Sequence, residues 1–335
     1  MKTTEKLDLF GKISMGYLVI ESKKIAAWKV FCEAGLGMHC DTDRDDFLAF
    51  ALDEHRRRLI IKRGPAEDYR AVGYQLASKL ELEEIRRRLA AHKIEVAEGS
   101  AKEAQERGVT AFWRFEGPKS LAIELFIDAE HRTDPLSMHT SAFVTGNGGM
   151  GHMAITSRRP EEMQRFWQEI FDARLSDYID ERIAGVDLDL AFFRLNSRHH
   201  SVAIASTRGI QMDPIRSKVQ HVNFQVATLE DLSSAFRRLQ DLGFEMAHEI
   251  GQHPNDKELS FYVFSPSGFE MELGWAPLEV DEATWDVTKY HGMSTWGHKP
   301  EKRGMRHFLL TNFTNLTQGT KSLLRSEFNP LVEEK

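Results

Sequence analysis

Apolar and polar positions follow the same order twice along the chain. Residues 15–31, MGYLVIESKKIAAWKVF, and residues 150–167, MGHMAITSRRPEEMQRFW, both run from Met-Gly through a short apolar segment and a polar turn into an amphipathic segment. Pro160 suits the first turn of a helix in the second copy. The apolar residues that follow have the spacing of one helix face: Met163, Phe166, Trp167, Ile170 and Phe171. Each copy therefore predicts a strand followed by a helix.

Two further pairs of segments continue this repeat in the same register. Residues 73–96 match residues 223–246 as strand, helix and strand, and the patterns Ser78-x-x-Glu81 and Thr228-x-x-Asp231 predict capping boxes at the helix starts. Residues 112–126 match residues 261–274 as a strand, a turn with Gly and Pro, and a final strand. The repeat predicts an α+β protein of two similar domains, each with a helix-backed sheet of mainly antiparallel strands.

Turn-forming residues between the two copies indicate the domain boundary. Residues 128–148, DAEHRTDPLSMHTSAFVTGNG, have the composition of a linker. We expect an N-terminal domain at residues 1–135 and a C-terminal domain at residues 136–300. The tail, residues 301–335, is charged and weakly patterned, and it predicts a loosely packed extension or an arm to a neighbouring subunit.

Composition narrows the class of protein. The chain has 335 residues, enough for two domains, and 41% hydrophobic with 28% charged residues is typical of a globular protein. A formal net charge of -7 argues against a nucleic-acid partner. The chain has no apolar run of about 18 residues and no apolar signal-peptide core near its start, so we expect no membrane association and a cytoplasmic location. The two cysteines, Cys32 and Cys40, are not spaced as a metal-binding pair.

The differences between the copies point to chemistry, because a residue found in only one copy is less strongly required by the shared fold. Two histidines and a carboxylate on three strands of one sheet form the ligand set of a non-haem Fe(II) site, which Mn(II) also accepts. The complete set occurs only in the second copy. Its members align with the first copy as follows: His152 with Tyr17, His221 with Ala71, and Glu272 with Glu124. Without the two histidines, Glu124 has no constellation to join.

Strand spacing alone does not choose the carboxylate. Glu270 and Glu272 lie two residues apart and share one face of a strand. The repeat favours Glu272, because Glu124 aligns with it, whereas Ala122 aligns with Glu270. Glu270 is left without a role.

The second copy also contains an added segment, AFFRLNSRHHSVAIAS, at residues 191–206. Its two adjacent histidines could supply a group that titrates near neutral pH. Strand alternation would point His199 and His200 to opposite faces, so that one lines an interior site and the other faces solvent or a subunit contact.

With these residues in place, residues 251–274 resemble the signature of the type I extradiol ring-cleavage dioxygenases of the vicinal oxygen chelate superfamily. The residues that carry the resemblance are Gly251, His253, Phe261, Tyr262, Pro266, Gly268 and Glu272. Ser265 departs from the signature, which usually has an acidic residue, Asn, Thr or Ala there. The resemblance covers about residues 12–300 and implies two tandem vicinal-oxygen-chelate domains, each of paired βαβββ modules, with no metal in the N-terminal one.

The resemblance also implies roles for individual residues. It makes His152, His221 and Glu272 the metal ligands, with Fe(II) as the cofactor and Mn(II) as an alternative. It makes His200 the acid-base residue. It implies that His253 and Tyr262 hydrogen-bond the substrate hydroxyls, and that Asn255 and Asp256 support them around the same pocket. The implied partners are a catechol and O2, and homo-oligomers are common in the family.

Apolar residues near the RHHS segment predict the part of the pocket that is distant from the metal. We expect it to be shaped by Phe192, Phe193, Ala154 and the segment around Gly292 and Thr295. A bicyclic or aryl-substituted catechol such as 2,3-dihydroxybiphenyl is the expected substrate. The alternatives are another metal-dependent lyase or isomerase of the same superfamily, or a metal-free protein that sequesters a ligand.

Overall fold

The computed structural model describes residues 6–183, 185–300, 317 and 319–332. Within these ranges the chain forms two large sheets, one of eight strands from the N-terminal half and one of nine strands from the C-terminal half. None of the helices described is both long enough and apolar enough to cross a membrane.

The N-terminal half contains eight strands and three α-helices. The strands are β1 (Ile13–Ser22), β2 (His39–Arg44), β3 (Phe47–Ala51), β4 (Leu59–Arg63), β5 (Asp68–Leu76), β6 (Ala97–Glu98), β7 (Phe112–Glu116) and β8 (Ala122–Phe126). The helices are α1 (Ile25–Val30), α2 (Lys79–Ala91) and α3 (Ala101–Arg107). A π-helical turn, Phe31–Leu36, continues α1, and a 3-10 turn, Pro118–Ser120, joins β7 to β8.

The C-terminal half repeats this order without a counterpart of α3 and adds one strand. The strands are β9 (Met153–Thr156), β10 (Arg174–Ile183), β11 (Val186–Arg194), β12 (Val202–Thr207), β13 (His221–Val226), β14 (Met246–Gln252), β15 (Leu259–Phe264), β16 (Glu270–Trp275) and β17 (Thr288–His291). The helices are α4 (Pro160–Phe171) and α5 (Leu229–Asp241), and a 3-10 turn, Gly146–Gly148, precedes β9. The added strand, β17, lies beyond the repeat and pairs in parallel with β10.

Each sheet consists of two βαβββ modules side by side. The first strand of each module pairs in parallel with its last strand, and the first strands of the two modules pair with each other in antiparallel fashion. The strand orders are β2-β3-β4-β1-β5-β8-β7-β6 and β14-β15-β16-β13-β9-β12-β11-β10-β17. The predicted α+β class with tandem domains of paired modules is therefore confirmed.

The boundary between residues 135 and 136 falls in the segment that joins β8 to β9, and its position stays a prediction. That segment touches both halves, since His131 forms a β-bridge with His55 and Phe143 forms one with Val226. The described part of the predicted tail packs against its own chain, where the backbone N–H of Lys119 donates to Phe328 O at 2.9 Å. The rest of the tail, and any arm it forms, lies outside the described residues.

The helix starts differ from the prediction in one detail. Ser78 and Thr228 do cap α2 and α5 through their side chains. Their hydroxyls also donate to the carboxylates of Glu81 and Asp231, but the reciprocal bond from the capping backbone N–H to those carboxylates is not formed. The full reciprocal box forms instead at the start of α3, between Ser100 and Glu103.

Helices α1, α2, α4 and α5 pack together on one side of each sheet and join the two domains through a continuous apolar core, whereas α3 lies on the other side of the N-terminal sheet. Trp28 of α1 donates from Nε1 to Ser267 Oγ at 3.0 Å, and Phe31 packs edge-on against Phe244. Arg88 of α2 donates to Asp172 at 2.7 Å. We call the opposite side of each sheet, which faces away from this core, its inner face.

A close approach of two strands depends on Gly151. A Cβ at this position would lie 1.8 Å from the carbonyl oxygen of Asn223 on β13. Gly151→Ala should therefore push β9 away from β13 and lower the free energy of unfolding by about 3 kcal/mol, as measured by urea denaturation. In Gly148→Ala the nearest atom is Nε of Arg198 at 3.3 Å, a far milder approach, so that variant should lose much less. Equal losses in the two variants would contradict this explanation.

Candidate active site

Strand pairing brings the three predicted metal ligands together on the inner face of the C-terminal sheet. β13 lies between β9 and β16, and His221 at its start pairs with Ala154 on one side and Glu270 on the other. His152 directly precedes β9, and Glu272 is the third residue of β16. Residues that are distant in sequence thus become neighbours in one sheet.

The donor atoms of these residues converge without bonding each other. His152 Nε2 lies 3.1 Å from Glu272 Oε2, and His221 Nε2 lies 3.4 Å from the same oxygen. The three donor atoms lie within 4.8 Å of one another. Glu272 Oε2 is buried and has no hydrogen-bond partner among the described residues. A buried carboxylate oxygen without a hydrogen-bond partner, faced by two imidazole nitrogens, is the arrangement that a metal ion would complete.

The electrostatics favour the protonation states that a metal requires. Burial holds the pKa of His152 below its usual value, which favours the neutral imidazole. Burial alone would raise the pKa of Glu272, but His152, His221 and His253 hold it well below its usual range. Neutral imidazole and ionised carboxylate are the ligand forms, and this donor set suits Fe(II) or Mn(II). The residues present therefore fit the implied metal.

His200 lies directly above one of these ligands. Its ring centroid is 3.9 Å from that of His152, and Phe192 packs edge-on against it at 5.0 Å. Its Nδ1 lies 3.1 Å from Nδ1 of His199, whose Nε2 lies 2.6 Å from Asp177 Oδ2. Both histidines are buried, so the expectation that one faces solvent or a subunit contact is wrong. They lie in the loop between β11 and β12, where strand alternation does not apply.

The hydrogen bonds define the tautomers of this pair. An ionised Asp177 only accepts, so His199 donates to it from Nε2 and accepts at Nδ1. His200 must then donate from Nδ1, which leaves its Nε2 without a proton. Burial, together with His152 and His199, holds the pKa of His200 well below its usual value, in agreement with a neutral ring.

His253 and Tyr262 form a second side of the site. His253 donates from Nδ1 to the carbonyl oxygen of Met293 at 2.7 Å, and its Nε2 lies 2.9 Å from the Tyr262 hydroxyl and 3.3 Å from Glu272 Oε1. Burial opposes the charge on His253, but Glu272 and Asp256 raise its pKa to about 9. His253 Nε2 and the Tyr262 hydroxyl thus lie side by side next to Glu272.

Asn255 and Asp256 lie buried in the turn between β14 and β15. Asp256 accepts a hydrogen bond from the Glu258 backbone at 3.0 Å, and its Oδ2 lies 3.8 Å from His200 Nδ1. Asn255 Nδ2 has no partner among the residues that the structure describes. Asp256 thus borders the site, whereas the place of Asn255 in the pocket and the contact of either residue with substrate stay predictions.

A small apolar cluster on the inner face continues the site away from the histidines. Its buried members are Ala154, Ile179, Leu190, Phe192 and Ala203, and Tyr290 and Met293 are among the residues packed against it. Of the predicted distal residues, Ala154 and Phe192 lie here, whereas Phe193 points into the core on the helix side. Thr295 is exposed, with its backbone N–H bonded to Gln252 O at 2.8 Å, and Gly292 donates to Asp180 O. The structure does not bring these last three into the cluster.

Several residues that border the site were missed in the sequence. Gln220 contacts Nδ1 of His221 through its side-chain oxygen, and its Nε2 donates to Glu270 at 2.7 Å. Asn223 donates to the buried Glu258 at 3.1 Å, and burial, with Glu272 and Asp256, raises the pKa of Glu258 well above its usual value. Gln220 could have been found from the sequence, because it directly precedes the proposed ligand His221. Asp177 and Glu258 stand at no fixed spacing from the proposed ligands and gave no such signal.

The corresponding position of the N-terminal sheet is closed by an ion pair. Arg107 makes two hydrogen bonds to Glu124, at 2.9 and 2.8 Å, and Tyr17 donates to Glu124 Oε2 at 2.8 Å. The expectation that Glu124 has no constellation to join is therefore wrong. Aromatic residues, among them Phe112 and Phe126, fill the remaining inner face.

Comparisons with known proteins agree with this site. Residues 149–273 match the model of the Glyoxalase/Bleomycin resistance protein/Dioxygenase superfamily, and residues 15–64 match the model described as Dihydroxybiphenyl dioxygenase BphC D1. The biphenyl-2,3-diol 1,2-dioxygenase of Metapseudomonas furukawaii is 31% identical over 290 residues, which cover 85% of this chain and 93% of that protein. The iron-dependent extradiol dioxygenase of Rhodococcus jostii (strain RHA1) is 31% identical over 295 residues, covering 85% and 96%.

Solved structures agree as well. A crystal structure titled BphC, a halotolerant catechol dioxygenase, has a TM-score of 0.77 at 28% identity and covers 87% of this chain and 96% of its own. The 2,2',3-trihydroxybiphenyl 1,2-dioxygenase of Sphingomonas wittichii strain RW1 has a TM-score of 0.76 at 27% identity, covering 87% and 100%.

Paired βαβββ modules, with two histidines and a glutamate converging inside one of two sheets, define the class of vicinal oxygen chelate proteins. Within that class, the chain belongs to the family of extradiol catechol dioxygenases.

The buried ion pair in the N-terminal sheet should be structural. Glu124→Gln leaves the guanidinium of Arg107 buried beside a neutral amide, so we expect the free energy of unfolding to fall by about 3 kcal/mol. Glu130→Ala, which removes one partner of a partly exposed pair with Arg56, should cost at most about 1 kcal/mol. Chemical denaturation of both variants measures the difference, and similar losses would contradict a special role for Glu124.

Proposed function

We propose that this protein opens the ring of a catechol beside its two hydroxyls, using O2 and an Fe(II) held by His152, His221 and Glu272. The observation that carries the proposal is the buried Glu272 Oε2, which has no hydrogen-bond partner among the described residues and faces two imidazole nitrogens. When bound, the iron would hold both substrate oxygens and O2 at one centre and pass electrons between them.

The residues around the trio supply binding and proton transfer. His253 Nε2 and the Tyr262 hydroxyl lie together beside Glu272 and suit hydrogen bonds to a substrate oxygen. His200 has an unprotonated Nε2 and a fixed ring, so it can take a proton from the substrate hydroxyl and return it as the ring opens. A positioned acid-base group of this kind contributes about 10²–10⁴-fold to the rate.

The apolar cluster supports an aryl-substituted catechol as the substrate. Phe192, Ile179 and Leu190 are buried on the inner face, and Phe192 packs against His200. An apolar substituent of the substrate would be removed from water beside these residues, which favours its binding. Among the relatives, enzymes named for biphenyl-2,3-diol, 3-methylcatechol and 2,2',3-trihydroxybiphenyl all match over 85% of this chain. We therefore favour a bicyclic catechol such as 2,3-dihydroxybiphenyl.

Three expectations from the sequence are kept as part of this proposal. Homo-oligomer formation and a cytoplasmic location stay predictions, as does the preference for Fe(II) over Mn(II). The alternatives within this fold class are a lyase or isomerase and a metal-free binding protein. Neither alternative gives a function to the buried hydrogen-bonded series of Asp177, His199 and His200.

Oxygen consumption tests the proposal. Protein loaded anaerobically with Fe(II) should consume O2 and form a yellow ring-fission product, with kcat/KM higher for 2,3-dihydroxybiphenyl than for 3-methylcatechol or catechol. Glu272→Ala should abolish iron binding and turnover, whereas Glu124→Gln, its counterpart in the other sheet, should keep both. Absence of oxygen uptake with every catechol would overturn the proposal.

Variants of the histidine chain separate proton transfer from metal binding. His200→Gln should lower kcat by about 10²–10⁴-fold while iron content stays unchanged. Asp177→Asn can donate to His199 and reverse the order of donors, so it should lower kcat by about 10²-fold with little change in KM. Iron analysis and steady-state kinetics measure both effects, and an equal loss of iron in His200→Gln would mean that this residue is a ligand or structural.

A further inference from the structure

The hydrogen bonds around one proposed ligand extend to two residues that have no assigned task. Nδ1 of His221 contacts Gln220 Oε1, and Gln220 Nε2 donates to Glu270 Oε2 at 2.7 Å. We propose that Gln220 and Glu270 are positioning residues, which together hold His221 in the tautomer and orientation that metal binding requires. This inference rests on the proposed function, because it takes His221 as an iron ligand.

The direction of the hydrogen bonds follows from the chemistry of the three side chains. An ionised Glu270 only accepts, so the amide of Gln220 must turn its NH2 group toward it. The amide oxygen then faces His221, which must donate from Nδ1. Its Nε2 is left with a lone pair on the side of Glu272 Oε2, 3.4 Å away. Without Glu270 the amide could rotate, present its NH2 group to Nδ1 and favour the tautomer with a proton on Nε2.

The sheet holds the parts of this chain of bonds in register. His221 and Glu270 are direct partners on the parallel strands β13 and β16. The backbone N–H of Gln220 donates to Ala154 O on the other side at 2.8 Å. Gln220 and Glu270 are both half-buried, so their bond is partly shielded from water. Outer partners of metal-bound histidines act in this way, by orienting the ring and raising its basicity.

The N-terminal sheet provides an internal comparison. At the same register it pairs Ala71 with Ala122, so both the histidine and the glutamate are absent there. The residue before Ala71 is Arg70, which lies 3.5 Å from Glu21 and so belongs to a different ion pair. The fold therefore forms without Gln220 and Glu270, and the two residues occur only in the copy that has the histidine.

Iron affinity tests the inference directly. In Gln220→Ala and in Glu270→Ala, competition with a chelator under anaerobic conditions should show Fe(II) bound about 10–100-fold more weakly than in the wild type. Because the two residues act in series, the double variant should lose no more than the weaker-binding single variant. Glu270→Gln keeps an acceptor for the Gln220 amide and should recover part of the affinity.

Two controls separate this role from a general effect on folding. Gln75→Ala removes a half-buried strand glutamine from the metal-free sheet and should leave iron affinity unchanged. The thermal midpoint of the metal-free protein should be similar in all of these variants.

The outcomes distinguish this inference from the proposed function. If His221→Ala loses iron while both single variants stay within about twofold of the wild type, the positioning role is overturned and the ligand assignment stands. Losses that multiply in the double variant would also overturn it, because independent residues add their free energies. If His221→Ala keeps its iron, the ligand assignment itself fails.

Discussion

A buried carboxylate on the last strand of the second module in each sheet is the constraint on which both halves of the molecule depend. Glu124 and Glu272 occupy equivalent positions on β8 and β16, and each is only 1% exposed. A charge buried this deeply must be paired. The N-terminal sheet pairs it with Arg107 and Tyr17, and the charge is then fully satisfied. The C-terminal sheet surrounds it with three histidines instead, which leaves room for a cation.

The two solutions explain why sheets of the same topology have such different inner faces. An arginine and a tyrosine bring bulk as well as charge, and with Phe112 and Phe126 they form a closed core. The C-terminal inner face has a smaller apolar cluster, and its polar groups point toward one another. The N-terminal inner face is therefore filled and the C-terminal inner face has converging polar groups because different side chains surround the equivalent carboxylates, Glu124 and Glu272.

The internal repeat made the fold and the trio predictable, because each copy showed which residues the other requires. Strand periodicity failed for His199 and His200, since a loop between β11 and β12 lets both rings turn inward. It does hold for Phe192 and Phe193, neighbours on β11 that lie on opposite faces, so the expectation that both shape the pocket conflicts with alternation. The bond of Asp177 to His199 and that of Gln220 to Glu270 could not be predicted, because they come from pairing that brings β10 beside the β11–β12 loop and β13 beside β16. Such contacts leave no trace in local spacing.

The carbonyl oxygen of Met293, which accepts the hydrogen bond from His253, lies beyond the repeat. The loop at residues 195–201, which holds His200, has a counterpart of the same length at residues 52–58, between β3 and β4. The expectation that the RHHS segment is an addition to the second copy is therefore wrong, and the extra length lies in the longer strands β10 and β11. The proposed ligands and His200 thus stand at positions that both copies possess, so the two halves diverged there by exchanging side chains on an unchanged backbone plan. Only the hydrogen bond that holds His253 depends on chain outside the repeat.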